Sequence, residues 1–159
     1  MSTRRRFLAA LVALPALPRR ALAQPSVNPA PGVDARILNT PQGTLEGILK
    51  GVPMRKGRVR LELPSVAENG HSVGLTVRVE SPMSDANYVR RIDLIADKNP
   101  VPLVATFFLG PESGRAEIET RLRLNGTQRV SAIAQLSDGS FWFDAADVVV
   151  NELACLDAG

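Results

Sequence analysis

Residues 73–79 have the sequence Val-Gly-Leu-Thr-Val-Arg-Val, in which an apolar side chain occupies every second position. A period of two predicts a β-strand that buries one face and exposes the other. The same alternation occurs on both sides of this segment, in residues 58–63, 92–96 and 116–122. Together with residues 130–136, these segments predict the following core-facing residues: Leu61, Leu75, Val77, Leu94, Ile118, Leu122, Val130 and Ala132.

The remaining apolar segments also indicate strands. Residues 103–109 are apolar almost throughout, which predicts a more deeply buried strand. Residues 130–136 and 141–150 are joined by Ser137-Asp138-Gly139-Ser140, and Asn125-Gly126 precedes the first of them. Asp-Gly and Asn-Gly favour type I′ hairpin turns. About seven short strands separated by turn signals predict an all-β fold, an immunoglobulin-like two-sheet sandwich, with a small barrel as the alternative.

One domain, residues 44–151, is expected between two flexible ends. Leu45, Ile48 and Leu49 have helical spacing and predict a short helix before the first strand. Residues 24–43 are rich in proline and glycine, which indicates a flexible leader. Residues 152–159 follow the last strand pattern and are expected to form a flexible C-terminal arm.

Residues 1–23 have the organisation of a twin-arginine signal peptide. Arg4-Arg5-Arg6-Phe7-Leu8 leads into an apolar run that ends at Leu17, and Ala21-Leu22-Ala23 forms a small-x-small cleavage pattern. The run is shorter than the about 20 apolar residues that span a bilayer, so it predicts an export signal and no membrane anchor. We therefore expect cleavage after Ala23 and a protein of the periplasm.

Removal of this segment changes the charge of the chain. The full sequence contains 19 lysine and arginine residues against 16 aspartate and glutamate residues, a formal net charge of +3. Residues 1–23 contain five of the arginines and none of the acids, so the remaining chain has 14 basic and 16 acidic residues and a net charge of −2. A basic surface for nucleic acid or a membrane is therefore not expected.

Few residues of the sequence can carry catalysis. His71 is the single histidine, lies in the loop sequence Asn69-Gly70-His71, and lacks companions for a metal site, so we interpret it as a solvated loop residue. The sequence has no Gly-x-Ser-x-Gly elbow, phosphate loop, Rossmann pattern or Cys-x-x-Cys-His motif. We therefore expect no enzyme activity, no cofactor and no metal. We interpret the aromatic residues within the strand patterns as core residues: Phe107, Phe108, Phe141, Trp142 and Phe143.

Cys155 is the single cysteine and lies near the C-terminus. In an oxidising compartment, a single cysteine pairs with another chain or acts as a thiol. On a terminal arm, the thiol can enter a pocket of another protein. Alternatively, Leu153 and Leu156 can dock the tail so that the cysteine packs as a small apolar residue. The residues themselves leave both interpretations open.

Several segments resemble SoxY, the sulfur-carrying subunit of the periplasmic thiosulfate-oxidising system. The resemblance extends from about Leu45 to Cys155, and the twin-arginine signal is in keeping with it. The similar segments are Leu-Glu-Leu-Pro at 61–64, Ala-Glu-Asn-Gly at 67–70, Glu-Ser-Pro-Met at 80–83, Ala-Asp-Lys-Asn-Pro at 96–100, Thr-Arg-Leu-Arg-Leu at 120–124, Thr-Gln at 127–128 and Ala-Gln-Leu-Ser-Asp-Gly-Ser at 134–140.

The resemblance implies an immunoglobulin-like sandwich that forms a heterodimer with a second sandwich subunit, SoxZ. In that family, a c-type cytochrome conjugates thiosulfate to a cysteine of the carrier, and a metal-dependent hydrolase then releases sulfate. The carrier itself catalyses nothing. Cys155 matches the carrier cysteine and is expected to be the site of covalent sulfur attachment. The alternative is an interaction module whose cysteine only forms an intermolecular disulfide or packs locally.

The arm differs from the usual SoxY ending. SoxY ends in Gly-Gly-Cys-Gly-Gly, whereas residues 153–157 are Leu-Ala-Cys-Leu-Asp, which is similar to a SoxY-related group with Ala-Ala-Cys-Ile-Glu. Glycines give a thin arm that fits narrow channels, and Leu156 and Asp157 add bulk. The negative charges of Glu152 and Asp157 also disfavour the thiolate of Cys155. The arm thus separates this chain from the glycine-armed carriers of thiosulfate.

Processing between Ala23 and Gln24 is predicted, because the small-x-small pattern ends there and a flexible leader follows. N-terminal sequencing of the exported protein should therefore begin at Gln24. Exported protein that still begins at Met1 would show that residues 1–23 are not a cleaved signal.

Overall fold

Residues 41–152 are described by the computed structural model and form a two-layer β-sandwich. These residues contain one α-helix and nine strands. The elements are α1 (Pro41–Leu49), β1 (Met54–Lys56), β2 (Val59–Glu62), β3 (Val66–Asn69), β4 (Val73–Val79), β5 (Val89–Ala96), β6 (Leu103–Phe108), β7 (Glu117–Leu122), β8 (Gln128–Leu136) and β9 (Phe141–Glu152).

The two sheets differ in size and strand direction. The larger sheet has the order β1–β9–β8–β5–β6, with β3 also paired to β9, and the smaller sheet has the order β2–β4–β7. β1 and β3 run parallel to β9 and pair with its beginning and its end, as the register pairs Met54–Phe141 and Val66–Val149 show. The other strand pairs are antiparallel. Neither sheet closes on itself, so the sandwich is the correct prediction and the barrel is excluded.

The predicted alternation fills the space between the two sheets. Seven of the eight predicted core residues are buried, and the eighth, Ile118, is half-buried and packs against the same apolar cluster. Val77 from the smaller sheet and Leu94 from the larger sheet have no exposed surface. Burial of a valine or leucine side chain contributes about 1.5–3 kcal/mol to the free energy of unfolding, so these alternating positions provide the main stabilisation of the sandwich.

The predicted short helix is present as α1 and covers part of the outer face of the larger sheet. Its predicted apolar residues, at positions 45, 48 and 49, pack on Ile95, Ile133 and Phe141. The helix begins at Pro41, three residues before the expected boundary at Thr44. Proline fits this position because N–H groups in the first turn of a helix have no intrahelical acceptor, so the missing N–H costs no hydrogen bond. Within residues 41–152, no helix has the length and hydropathy needed to cross a membrane.

Strand β6 is not the deeply buried strand that its apolar sequence predicts. It lies at an edge of the larger sheet, where Leu103 and Phe108 are exposed and the four residues between them are half-buried. The residues on which α1 packs belong to β5, β8 and β9, so the helix does not cover β6. Phe108 is 79% exposed, which makes its interpretation as a core residue wrong. Of the other aromatic residues predicted in the core, Phe141 is buried and three are half-buried.

The two predicted type I′ turns are also wrong. The flanking strands of Asn125-Gly126 are β7 and β8, which belong to different sheets, so this segment connects the two layers and makes no hairpin. Asp138-Gly139 does join the hairpin of β8 and β9, but only Gly139 has a positive φ, of 82°. The N–H of Gly139 donates to Leu136 O (3.0 Å), and the N–H of Leu136 donates to Ser140 O (3.0 Å). This is a type I turn followed by a left-handed glycine, which requires only one positive φ.

A buried carboxylate links β6 to its neighbour β5. Asp93 lies directly opposite Thr106, is 2% exposed, and accepts a hydrogen bond from Thr106 Oγ1 (2.8 Å). Arg91 Nε lies 2.8 Å from the other carboxylate oxygen, in an ion pair that lacks the alignment of a hydrogen bond. Burial raises the pKa of Asp93 above its ordinary value, although Thr106 and Arg91 act in the opposite direction.

Asp93→Asn is predicted to change how stability depends on pH. A raised pKa means that the folded protein binds the Asp93 proton more tightly than the unfolded chain, so ionisation of Asp93 lowers the free energy of unfolding as the pH rises. The free energy of unfolding of wild type minus that of Asp93→Asn should therefore decrease as the pH rises from the ordinary pKa of an aspartate, about 3.9, to the raised pKa of Asp93, as measured by urea denaturation.

Asp138→Asn is the matched control. Hydrogen bonds from Ser140 lower the pKa of Asp138, so the stabilisation from its carboxylate is present at neutral pH and is lost as the pH falls. The same difference for Asp138→Asn should increase with pH. If the difference in free energy of unfolding changed with pH in the same direction for both variants, Asp93 would not be a carboxyl whose neutral form is favoured by burial.

Candidate functional site

The sequence places the candidate site at Cys155, three residues beyond the end of β9. Cys155 lies outside the described residues, as do the predicted signal peptide, residues 24–40 of the predicted leader and residues 153–159 of the predicted arm. The structure does describe the base from which this terminal segment leaves the domain. Three extended residues span at most about 10 Å, so the position of Glu152 limits where the thiol can be.

The end of β9 is held by neighbours on both of its edges. β8 pairs with it on one side, for example through Gln128 and Val148, and β3 pairs with it on the other side, up to Asn69 and Glu152. The N–H of Val149 donates to Ser65 O (2.9 Å) at the beginning of β3. The last strand is therefore fixed to the sandwich as far as Glu152, which is the residue from which the cysteine segment continues.

Thr127 adds a further attachment just before the terminal segment. Its Oγ1 accepts a hydrogen bond from the N–H of Val150 (3.0 Å) and lies within donating distance of Val150 O (3.4 Å). Val148 and Val150 are buried in the core, whereas Val149 is 47% exposed on the outer face. The hydroxyl of Thr127 thus bonds backbone groups of β9 beyond Val148, where the pairing with β8 ends.

The parallel pairing of β3 and β9 brings the loop with His71 to the base of the terminal segment. Both strands end at the same end of the sandwich, and His71 follows the last residue of β3 by two positions. His71 is exposed, as predicted, and its backbone N–H donates to Asn69 Oδ1 (3.1 Å). The sequence analysis missed this proximity because β3 lacks the alternation that would have identified it as a strand.

A cross-strand ion pair lies at this end of the sandwich. Arg129 on β8 contacts Asp147 on β9 through two nitrogen–oxygen pairs of 3.0 Å each. The guanidinium lowers the pKa of Asp147, so this carboxylate remains ionised and paired. Both side chains are more than half exposed, so the pair contributes little to stability. Within residues 41–152, no group of three or more His, Cys, Asp or Glu residues could hold a metal ion.

A surface hollow of about 650 Å³ lies on the smaller sheet. Its lining includes Glu62, Thr76, Glu119 and Arg121 from β2, β4 and β7, whereas the terminal segment leaves from the larger sheet. The hollow and the strand that leads to the cysteine segment therefore belong to different sheets among the described residues. The larger sheet provides a rigid platform with a short segment attached to its end.

Solved structures with the same architecture include a sulfur carrier and several superoxide reductases. The sulfur carrier protein SoxY from Chlorobium limicola f thiosulfatophilum aligns with a TM-score of 0.57 and 23% identity, over 67% of this chain and 88% of that protein. A superoxide reductase (neelaredoxin) variant from Ignicoccus hospitalis gives 0.53 and 18% identity, over 66% and 86%. A putative superoxide reductase from Thermotoga maritima gives 0.53 and 17% identity, over 61% and 93%. At these identities the likeness defines the fold alone.

Fold and platform together define a class of protein: an immunoglobulin-like sandwich whose last strand leads directly into a cysteine-bearing terminal segment. The family model described as sulfur oxidation protein SoxY matches residues 47–155. The chain therefore belongs to the SoxY family, and the match ends at Cys155 itself. Membership supports the role of a sulfur carrier within a sulfur-oxidation system. No curated protein matches the sequence significantly.

Thr127→Val is predicted to loosen the end of β9 while keeping the shape of the side chain. The N–H of Val150 loses its hydroxyl partner, and loss of one hydrogen bond costs about 1 kcal/mol, so its amide should exchange with solvent roughly fivefold faster. Ser72→Ala, whose hydroxyl accepts a hydrogen bond from the exposed Arg121, serves as the control and should leave that amide unchanged. Unchanged exchange in Thr127→Val would show that Thr127 does not hold the base of the segment.

Proposed function

We propose that this chain is a periplasmic carrier that holds a sulfur compound covalently on Cys155 while partner enzymes process it during thiosulfate or sulfur oxidation. The observation that carries the proposal is the SoxY family match, which extends to Cys155, combined with a last strand fixed up to Glu152. The domain then stays outside a partner enzyme while the terminal segment presents the sulfur atom to it.

The carrier supplies one reactive group, the thiol of Cys155. In the loading step with thiosulfate, a sulfur–sulfur bond forms between the cysteine sulfur and the outer sulfur of thiosulfate. The thiol proton is released, and the two electrons pass to a c-type cytochrome, the oxidant of this step. In the next step, water attacks the terminal sulfone, sulfate leaves with the water oxygen, and a persulfide remains on Cys155. Partner enzymes perform both reactions, so the carrier is their covalent substrate and not a catalyst.

The composition of the segment bears on which compounds and enzymes it fits. Leu153, Leu156 and Asp157 are bulkier than the glycines of the thiosulfate carriers, and Glu152 and Asp157 place negative charge on both sides of the thiol. An anionic substrate such as thiosulfate is repelled by these carboxylates unless the partner enzyme supplies compensating positive charge. We therefore propose that the channel of the partner enzyme is wide and basic where it meets this segment.

The second proposed component is a SoxZ-like sandwich subunit that forms a heterodimer with this chain. Family membership supports a partner within the sulfur-oxidation system. The sandwich itself also supports one, because its open sheet edges expose backbone groups and apolar side chains that another sandwich can cover.

The thiol of Cys155 is predicted to be accessible in the native, reduced protein. Because the sequence contains one cysteine, every label reports on this residue. A thiol reagent should react at a rate close to that of the denatured chain, since a carrier thiol must be reachable for conjugation. Cys155→Ser should abolish labelling while leaving the melting temperature and SoxZ-type subunit binding nearly unchanged.

Two results would contradict the carrier proposal. Labelling that requires denaturant would show that Cys155 packs as a small apolar residue. Unfolding of Cys155→Ser would show the same, because a carrier residue on a terminal segment contributes little to stability.

A further inference from the structure

The edge strand β6 differs from the other edges of the two sheets. Within residues 41–152, the edge strands are β1, β3 and β6 in the larger sheet and β2 and β7 in the smaller sheet. Four of these five carry charged residues, and three of the four are only three or four residues long. Charge and shortness are the usual devices that prevent an edge from pairing with another chain.

β6 has neither device. Its six residues, Leu103 to Phe108, include no charged residue and no proline. Leu103 is 36% exposed and Phe108 is 79% exposed. The backbone ladder with β5 and the hydrogen bond from Thr106 to Asp93 hold β6 against β5, so this edge is presented as a fixed strand. A fixed, uncharged and β-prone edge with an exposed aromatic residue is suited to accept a strand from a partner.

Basic residues flank β6 at both ends. Phe108 lines a hollow of about 430 Å³ together with Arg90 and Arg91, and Leu103 lines another of about 510 Å³ together with Arg121 and Arg123. Arg91 is paired with Asp93. Among the described residues, Arg90, Arg121 and Arg123 have no acidic partner within 4.0 Å, and Glu112 is the acid that follows β6 along the chain.

We infer that the β6 edge is the docking site for a partner chain that adds an apolar β-strand to the larger sheet and places carboxylates beside Arg90 and Arg123. Phe108 anchors the contact, because interfaces are enriched in aromatic side chains and a few buried residues contribute most of the binding energy. The arginines orient the incoming strand and raise the rate of association. The inference rests on the proposed function only in taking the SoxZ-like subunit as this partner.

A second copy of the chain does not fit this edge. In an antiparallel pairing of two β6 strands, the end with Arg90 meets the end of the copy with Arg121 and Arg123. In a parallel pairing, each end meets the same end of the copy. Both arrangements bring arginine against arginine, and like charges across an interface select against that pairing.

Binding of the mature chain to its SoxZ-type subunit, measured by calorimetry and by association rate at several salt concentrations, tests the inference. Phe108→Lys should weaken binding at least roughly 30-fold, because it removes the anchor and adds an edge-protecting charge. The double variant Arg90→Glu, Arg123→Glu should slow association and remove much of its salt dependence. Val66→Lys, at a 55% exposed valine on β3 at the opposite edge of the same sheet, is the control and should bind within about twofold of wild type.

The outcomes separate this inference from the carrier proposal. Equal binding of Phe108→Lys and wild type would overturn the docking site and leave the carrier proposal intact, since that proposal is judged by adducts on Cys155. A chain that dimerises alone and becomes monomeric with Phe108→Lys would show that a second copy occupies the edge. Failure of the wild-type chain to bind the subunit would also overturn the inference. Phe108→Ser is a second variant in case Phe108→Lys does not fold, and its melting temperature shows whether it is folded.

Discussion

Strand β9 has pairing partners from its first residue to its last, and the rest of the structure depends on this constraint. β8 follows it on one side, while β1 pairs with its beginning and β3 with its end on the other side. Twelve residues are thereby fixed in one extended segment that spans the larger sheet. Its alternate side chains Val148 and Val150 enter the core, and Phe141 packs beneath α1. The same pairing fixes the residue from which the cysteine segment continues.

In this arrangement, the residues that stabilise the domain differ from the residue that we propose to react. Apolar burial between the sheets stabilises the domain, and within residues 41–152 no group of three or more His, Cys, Asp or Glu residues could hold a metal ion. The chemistry that we propose needs only one thiol, three residues beyond the end of this strand. The similarity to superoxide reductases shows that the sandwich alone does not determine such a function. The family match that reaches Cys155 is what distinguishes the carrier from its structural neighbours.

The sequence predicted the sandwich well because a period of two is a local property of each strand. Val73–Val79 and residues 130–136 show it clearly, and their apolar positions are buried. β1 and β3 were not predicted, because three or four residues paired in parallel with a distant strand leave no local pattern. The exposure of Phe108 was missed for a related reason. An apolar run indicates a strand, but whether that strand lies at an edge depends on which neighbours the chain brings to it.

Cys155 was predicted as the candidate site because it is the single cysteine and follows the last strand pattern, and this prediction requires no knowledge of the fold. The platform of the site was not predictable, because Thr127 and β3 reach β9 only through tertiary pairing. The most direct test of the central claim is the intact mass of the protein from its native periplasm, with and without reductant, followed by mapping of the C-terminal peptide. A carrier function predicts added sulfur or thiosulfonate mass on Cys155 that reductant removes. A cysteine found unmodified while the pathway is active, or only in a disulfide with another protein, would contradict it.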